Sequence, residues 1–442
     1  MRSRSTGRHV STSPHLAALV AASGLSLAGG PASAETLRDA WASALGDDAR
    51  LAAAAARVEA SNEQWAAARA ARLPSLAVDA SLTQLDATPA VRAMVPGPFP
   101  FDAQFPLQQS RALAYRGTVV VPLYTGGRID GEGRAAASAA AGAEADVALS
   151  TAALRLEVAE GYVAVLRTGR GVRVARAASE ALARHLTDAT NLANAGAAAR
   201  ADVLAIGVAL AEVERRLSSA MTAEIIAQAS YNRALSRPLD APVALEDIGA
   251  PESPRPPLAT LLQRARDRRP ELAELRAESA SLAAQASVRR ADTQPQVGLV
   301  GGYAFQENRS QVHEGLWSVG VAVRWAAFDG GIARREAGAL AARARAAERT
   351  LDAVKADINL QIVTAQAAVI DAERRVRLSS AAIVSAEESL RVASDRYVTG
   401  VGAAVEALDA ITRWTGAQQD RDAAEYDVAI GALRLACASG EL

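Results

Sequence analysis

The chain carries the same pattern twice, and this constrains its fold more than any other feature. Val121-Pro-Leu-Tyr-Thr-Gly-Gly-Arg128 returns as Arg324-Trp-Ala-Ala-Phe-Asp-Gly-Gly-Ile332, which sets Gly126 and Gly127 against Gly330 and Gly331 at a shift of 330 − 126 = 204. The shift persists through Leu154 and Ile358, Val165 and Val369, Gly196 and Gly400, Asp202 and Glu406, and Leu204 and Leu408. A spacing kept without insertion implies one rigid element in each copy, because loops drift in length. Two long, equal arms are therefore the expected core.

Prolines mark out those arms. None occurs between Leu123 and Arg237, and none follows Pro295. Both stretches are rich in strong helix formers, with apolar residues at helical spacing such as Leu149, Leu156 and Val163. A helix from Arg128 to Ala195 runs roughly 100 Å at 1.5 Å per residue, a rod for which a globular domain has no use. Each rod stops at a glycine turn, Gly196 or Gly400, and a shorter helix returns. The expected organisation is a first repeat over 35–237 ending in a helical hairpin at 128–237, a proline-rich connector at 238–257, and a second repeat over 258–442 with its hairpin at 332–438. One further helix precedes each arm, over 36–72 and 258–291.

Four short segments alternate with period two: 75–83, 113–123, 296–306 and 316–326. In the first, Leu76, Val78, Ala80 and Leu82 oppose Ser75, Asp79, Ser81 and Thr83; in the last, Trp317, Val319, Val321, Val323 and Trp325 oppose Ser318 and Arg324. A soluble sheet packing its apolar face on a core is the plain alternative. The aromatics favour a membrane: Trp317 and Trp325 stand roughly 26 Å apart along a strand, close to the ~25 Å apolar band of outer-membrane barrels with its two aromatic girdles. Four strands cannot close a barrel alone, so chains must pool them. Asp79, Arg116 and Arg324, on the polar face, are expected to face a lumen, where solvation alone accounts for them. The loop between the first two strands, rich in proline with Phe99, Phe101 and Phe105, makes that unit 221 − 204 = 17 residues longer than its counterpart, since Pro74 matches Pro295 at a shift of 221.

Composition narrows the function. Residues 1–34 read as an export signal, with Arg2, Arg4 and Arg8, an apolar run from Leu16 to Leu27, and Ala32-Ser33-Ala34 before the cut. Its removal takes the formal charge to −1 − 3 = −4, which argues against a nucleic-acid partner. Cys437, the sole cysteine, excludes an intramolecular disulfide, and His185 and His313 are too far from it in sequence to suggest a metal cluster. No nucleophile elbow or phosphate loop is present, because Gly126-Gly127 is followed by arginine. Neither an enzyme nor a cofactor is expected.

Taken together, Ala71-Arg-Leu-Pro-Ser75, Val121-Pro-Leu-Tyr-Thr-Gly-Gly-Arg128, Arg268-Arg-Pro-Glu-Leu272, Trp325-Ala-Ala-Phe-Asp-Gly-Gly331, Arg396-Tyr-Val-Thr-Gly400 and Val405-Glu-Ala-Leu-Asp-Ala410 resemble the TolC-like outer-membrane efflux protein family. The resemblance covers essentially all of the mature sequence. It implies a mainly α protein with transmembrane β: a homotrimer in outer-membrane lipid whose chains share a twelve-stranded barrel, continued into the periplasm by a helical tunnel. It also implies an adaptor (membrane fusion) protein and an inner-membrane transporter as partners, in efflux or type I secretion. Carried onto this chain, the family's acidic rings fall on Glu406 and Asp409, six and nine residues after Gly400. The first repeat supplies Asp202 but has Ala205 at the second position. Tyr397 matches a tyrosine that helps hold the closed state, whereas the family arginine two after the glycine is Gly402 here. Glu406 and Asp409 as decoration of a solvated helix face is the alternative to a gate.

The function expected is a passive exit duct gated at the helical turns. A periplasmic adaptor or helical scaffold is the rival; it would need a compact β module flanking one hairpin, and this sequence has two hairpins and four membrane-like strands. The cargo is not written in the sequence.

Overall fold

A computed structural model describes residues 34–249 and 256–442. The expected export signal therefore lies outside the described residues except for Ala34, as does the 250–255 part of the connector.

Helices dominate. In chain order they are α1 (Leu37–Asp47), α2 (Ala49–Ala70), α3 (Arg128–Asn194), α4 (Arg200–Ala234), α5 (Leu258–Arg268), α6 (Pro270–Ala291), α7 (Ile332–Val398) and α8 (Ala404–Ala438). Both α3 and α7 have 67 residues, and both α4 and α8 have 35. At 1.5 Å per residue the long rods run about 100 Å. Each leaves its strand through a left-handed glycine pair, Gly126 and Gly127 at φ 63° and 84°, and Gly330 and Gly331 at φ 71° and 83°. A side chain at Gly126 would meet Gln294 as well, with Cβ atoms 2.4 Å apart. The far ends close with glycine again. Gly196 and Gly400 take φ 71° and 77°, and the Ala197 and Val401 amides donate back to the Leu192 and Arg396 carbonyls at 2.8 and 2.9 Å, satisfying helix-end acceptors.

Where one helix was expected over 36–72 and another over 258–291, each is broken in two. Asp48 turns extended and caps α2, its carboxylate accepting from the Arg50 and Leu51 amides. Arg269 is extended because Pro270 follows it and opens α6.

The strands are β1 (Ser75–Gln84), β2 (Ala90–Val95), β3 (Phe101–Pro106), β4 (Arg111–Tyr124), β5 (Gln296–Gln306) and β6 (Gly315–Arg324). β1, β4, β5 and β6 form one antiparallel sheet in that order, and β2 and β3 form a separate hairpin inside the proline- and phenylalanine-rich loop. Trp325 thus stands one residue beyond β6, its indole N–H donating to the Thr293 carbonyl at 3.1 Å. The register sets Leu76 opposite Val119, Val121 opposite Leu299, and Leu299 opposite Val321, so one face is apolar from edge to edge. Asp79 lies opposite Arg116, and Arg116 opposite Ala304, on the other face. A bulge at the end of β4 sets Tyr124, rather than Leu123, opposite Val297 on the apolar side.

The apolar face is bare: Trp317 and Val319 are each 82% exposed and Val78 73%. A ladder of rings crosses it at the loop end, Phe305 on Tyr115 at 4.7 Å and Tyr303 on Trp317 at 5.0 Å between centroids. β1, β5 and β6, of 10, 11 and 10 residues, match the ~9–11 residues that cross a bilayer, and β4, of 14, is long enough to cross with residues to spare. Among the described residues no helix is long and apolar enough to do so.

Beyond the sheet the helices pack side by side in one layer. Near the sheet the order is α2, α3, α6, α7; near the turns it is α4, α3, α8, α7. A buried apolar cluster lies midway, where Tyr162 and Tyr231 meet edge to face at 6.0 Å and Val243, Leu245 and Ile248 of the connector pack against it. The Tyr162 hydroxyl sits 2.7 Å from the Glu35 carbonyl and 2.6 Å from that of Glu246. Arg237 clasps the Glu35 carboxylate, with contacts at 2.7 and 3.0 Å.

Candidate functional site at the helical turns

The two hairpins meet beside their turns in a small apolar cluster of Ala189 from α3, Ile206 from α4, Tyr397 from α7, and Ala404 and Ala407 from α8. The alanines let the helices approach closely. Into this cluster α3 inserts His185, whose ring meets that of Tyr397 edge to face at 4.4 Å. His185 Nε2 and the Tyr397 hydroxyl are both buried with no hydrogen-bond partner among the described residues. Burial pushes the His185 pKa below the ordinary value, opposed by Asp188 and by a hydrogen bond with the Ala404 backbone. Burial raises the Tyr397 phenol, helped by the carboxylates of Asp202 and Asp188.

Asp202 and Glu406 occupy the same place in their helices, the first turn of α4 and of α8, where a carboxylate is favoured by the unpaired amides and the helix dipole. Glu406 is exposed and lies 3.6 Å from Arg396 on the last turn of α7; Asp409, one turn further along α8, lies 3.5 Å from Arg413. Of the predicted site residues, Tyr397, Glu406 and Asp202 are gathered around the turns, while Asp79, Arg116 and Arg324 are on the sheet.

Gly402, where the family has an arginine, sits tightly against the last turn of α7. A Cβ at this position would lie 3.0 Å from that of Arg396 and 3.1 Å from the Tyr397 amide nitrogen, so a side chain fits only if the last turn of α7 gives by a few tenths of an ångström. Arg396 supplies a guanidinium to Glu406 from the other limb of the turn. Neither Arg396 nor His185 was picked out by sequence reasoning. Arg396 adjoins Tyr397 and was readable as a substitute, whereas nothing local marks His185, whose role depends on how the hairpins pack.

Higher up, arginines on α3 and α7 grip α8. Arg170 reaches Asp422 at 3.2 Å, Glu425 at 2.7 Å and the connector's Asp247 at 2.5 Å, with its guanidinium 5.0 Å above the Tyr426 ring. Arg167 and Arg375 share Asp427 at 3.4 and 2.9 Å.

The fold is that of known channels. It superposes on the outer-membrane channel OprN with a TM-score of 0.78 at 21% identity, covering 92% of this chain and 90% of that one. For the outer membrane protein VceC of Vibrio cholerae the values are 0.77 and 17%, covering 91% and 96%. For the CmeC outer membrane channel of Campylobacter jejuni they are 0.77 and 15%, covering 92% and 85%. No curated protein matches the chain in sequence. The family model for outer membrane efflux proteins matches residues 41–237 and 261–441, both repeats and nearly all of the described chain. The chain belongs to the outer membrane efflux protein family.

Proposed function

We propose that three copies of this chain assemble into a passive exit duct, an internally duplicated subunit contributing four strands to a barrel of 3 × 4 = 12. One observation carries this reading: the chain ends in complementary open edges at every level. The sheet stops at β1 on one side and β6 on the other, each with an unpaired backbone edge, which lipid does not tolerate. Near the turns the helical layer stops at α4 and α7, and these two carry exposed apolar stripes. Leu360, Val363, Ile370, Leu378, Val384 and Val392 fall on one side of α7, and Leu204, Val208, Met221, Ile225 and Ile226 on one side of α4. An edge that pairs with the opposite edge of the next copy closes into a ring.

In this assembly the apolar sheet face meets outer-membrane lipid, and Asp79, Arg116 and Arg324 line the lumen. Glu406 and Asp409 form acidic rings at the periplasmic turns, with Asp202 and Tyr397 supporting the closed state. Repeated carboxylates in a constriction attract cations and repel anions. The duct performs no chemistry and holds no cofactor. A periplasmic adaptor and an inner-membrane transporter, of a tripartite efflux or a type I secretion system, supply contact and energy. The bare sheet, which a periplasmic adaptor has no means to cover, favours a duct over an adaptor or scaffold.

Size-exclusion chromatography with light scattering on the detergent-solubilised mature protein tests the assembly. The expected mass is three chains; a monomer with native circular dichroism contradicts it.

A further inference from the structure

One groove is unused by the duct. It lies between α2 and α3 just below the sheet, encloses about 670 Å³, and is lined by Trp65, Arg69, Arg72 and Arg134. A second hollow of about 350 Å³ shares Arg72 and Asp130 with it and extends towards the sheet, past Leu123 and Tyr124. The two adjoin at Arg72 and Asp130: Trp65, Arg69 and Arg134 lie on the helix side, and Leu123 and Tyr124, both exposed, on the sheet side. The groove's charge is unbalanced. Asp130 is the carboxylate lining it and is already paired with Arg72, Arg69 is stacked over the Trp65 ring at 5.5 Å, and Arg134 reaches the Ser287 hydroxyl of α6 at 3.4 Å.

Its depth is equally specific. Tyr124, opposite Val297, shares the apolar face that meets lipid, and Trp325 marks the lower limit of that face. Trp65 stands five residues before the end of α2, about 7.5 Å below it. The headgroup layer is about 5–8 Å deep on each side of the hydrocarbon, so Arg69, one residue before the end of α2, falls at headgroup level and Trp65 at its periplasmic edge, while Leu123 and Tyr124 fall at acyl level. Tryptophan belongs at such an interface, and guanidinium groups pair with phosphate in bidentate fashion.

We propose that the α2–α3 groove binds a phospholipid of the periplasmic leaflet, with its phosphate between Arg69 and Arg134 and an acyl chain along Leu123 and Tyr124. This rests on the membrane placement of the sheet and not on the gate. The lipid fixes the depth at which α2 leaves the membrane and fills the junction of barrel and tunnel.

The test is tryptophan quenching in vesicles of phosphatidylethanolamine and phosphatidylglycerol brominated near the glycerol end of the acyl chains. Wild type is compared with Trp65→Phe and with an Arg69→Gln, Arg134→Gln double variant. Expected is a quenched component that Trp65→Phe abolishes and that the double variant loses, while the signal of Trp317 on the sheet stays quenched and the variants keep wild-type circular dichroism. Inorganic phosphate added alone leaves the component intact. A Trp65 signal that is unquenched, or quenched equally in the double variant, overturns the site, and loss of quenching with inorganic phosphate alone assigns it to a free anion instead. Absence of Trp317 quenching overturns the membrane placement and the site with it.

Discussion

His185 and Tyr397 meet edge to face, ring centroids 4.4 Å apart, where the two helical hairpins touch beside their turns. Each ring comes from a different 67-residue rod, and each buries a polar atom that has no partner among the described residues. Burial disfavours the imidazolium, so protonation of His185 weakens the joint between the hairpins.

Acid is the first prediction. Burial lowers the His185 pKa in the folded chain, so between the folded and unfolded values the unfolded form binds more protons and stability rises with pH. The contribution is complete above about 6.5 and is lost as pH falls below it. Hydrogen exchange across residues 186–206, corrected for the intrinsic slowing of exchange in acid, is expected to show protection that falls from pH 7 to pH 5 in wild type and not in His185→Phe. Identical profiles would count against the contact as a pH-sensitive joint.

Arg396 gives the second. Its exposed pair with Glu406 at 3.6 Å contributes roughly 0–1 kcal/mol to stability, but it offsets a charge of the proposed acidic ring. Arg396→Gln is expected to raise the cation preference of the channel with the melting temperature nearly unchanged. Reversal potentials in a salt gradient measure this, and an unaltered or lowered preference would remove Glu406 from the conducting path.

The glycine corners give the third. Gly126→Ala must force both a left-handed alanine, roughly 1–2 kcal/mol, and a 2.4 Å approach to Gln294. Gly127→Ala incurs the first penalty alone, having nothing within 4 Å. Denaturant or thermal unfolding is expected to rank Gly126→Ala clearly below Gly127→Ala.

A fourth concerns the grip on α8. Arg170→Met removes a guanidinium from Asp247, Asp422 and Glu425, leaving carboxylates without their partner. A cost of about 2 kcal/mol follows from charged hydrogen bonds of ~1.5–3 kcal/mol. Exchange in α8 around Asp422 should speed up more than exchange in the sheet; uniform change would deny the clamp a local role.

Much of this fold was legible because its signals are periodic. The rods show as long proline-free stretches closed by Gly196 and Gly400, and the main strands as strict alternation around residues such as Val78 and Val319. The β2–β3 hairpin escaped because Pro96, Pro98 and Pro100 in its turn read as irregular chain, although Val91, Ala93 and Val95 alternate before them. The breaks at Asp48 and Arg269 had local marks, the acidic cap after Gly46-Asp47 and the proline at 270, which the helical periodicity on either side concealed. The His185–Tyr397 contact had none, since it joins residues 212 apart, 397 − 185, through the lateral packing of two hairpins.

Single-channel conductance of the mature protein in planar bilayers, beside the Glu406→Ala, Asp409→Ala double variant, tests the central claim most directly. The account predicts a small cation-preferring conductance in wild type and loss of that preference in the variant. Well-folded protein that forms no channels, or a variant with wild-type selectivity, would contradict it.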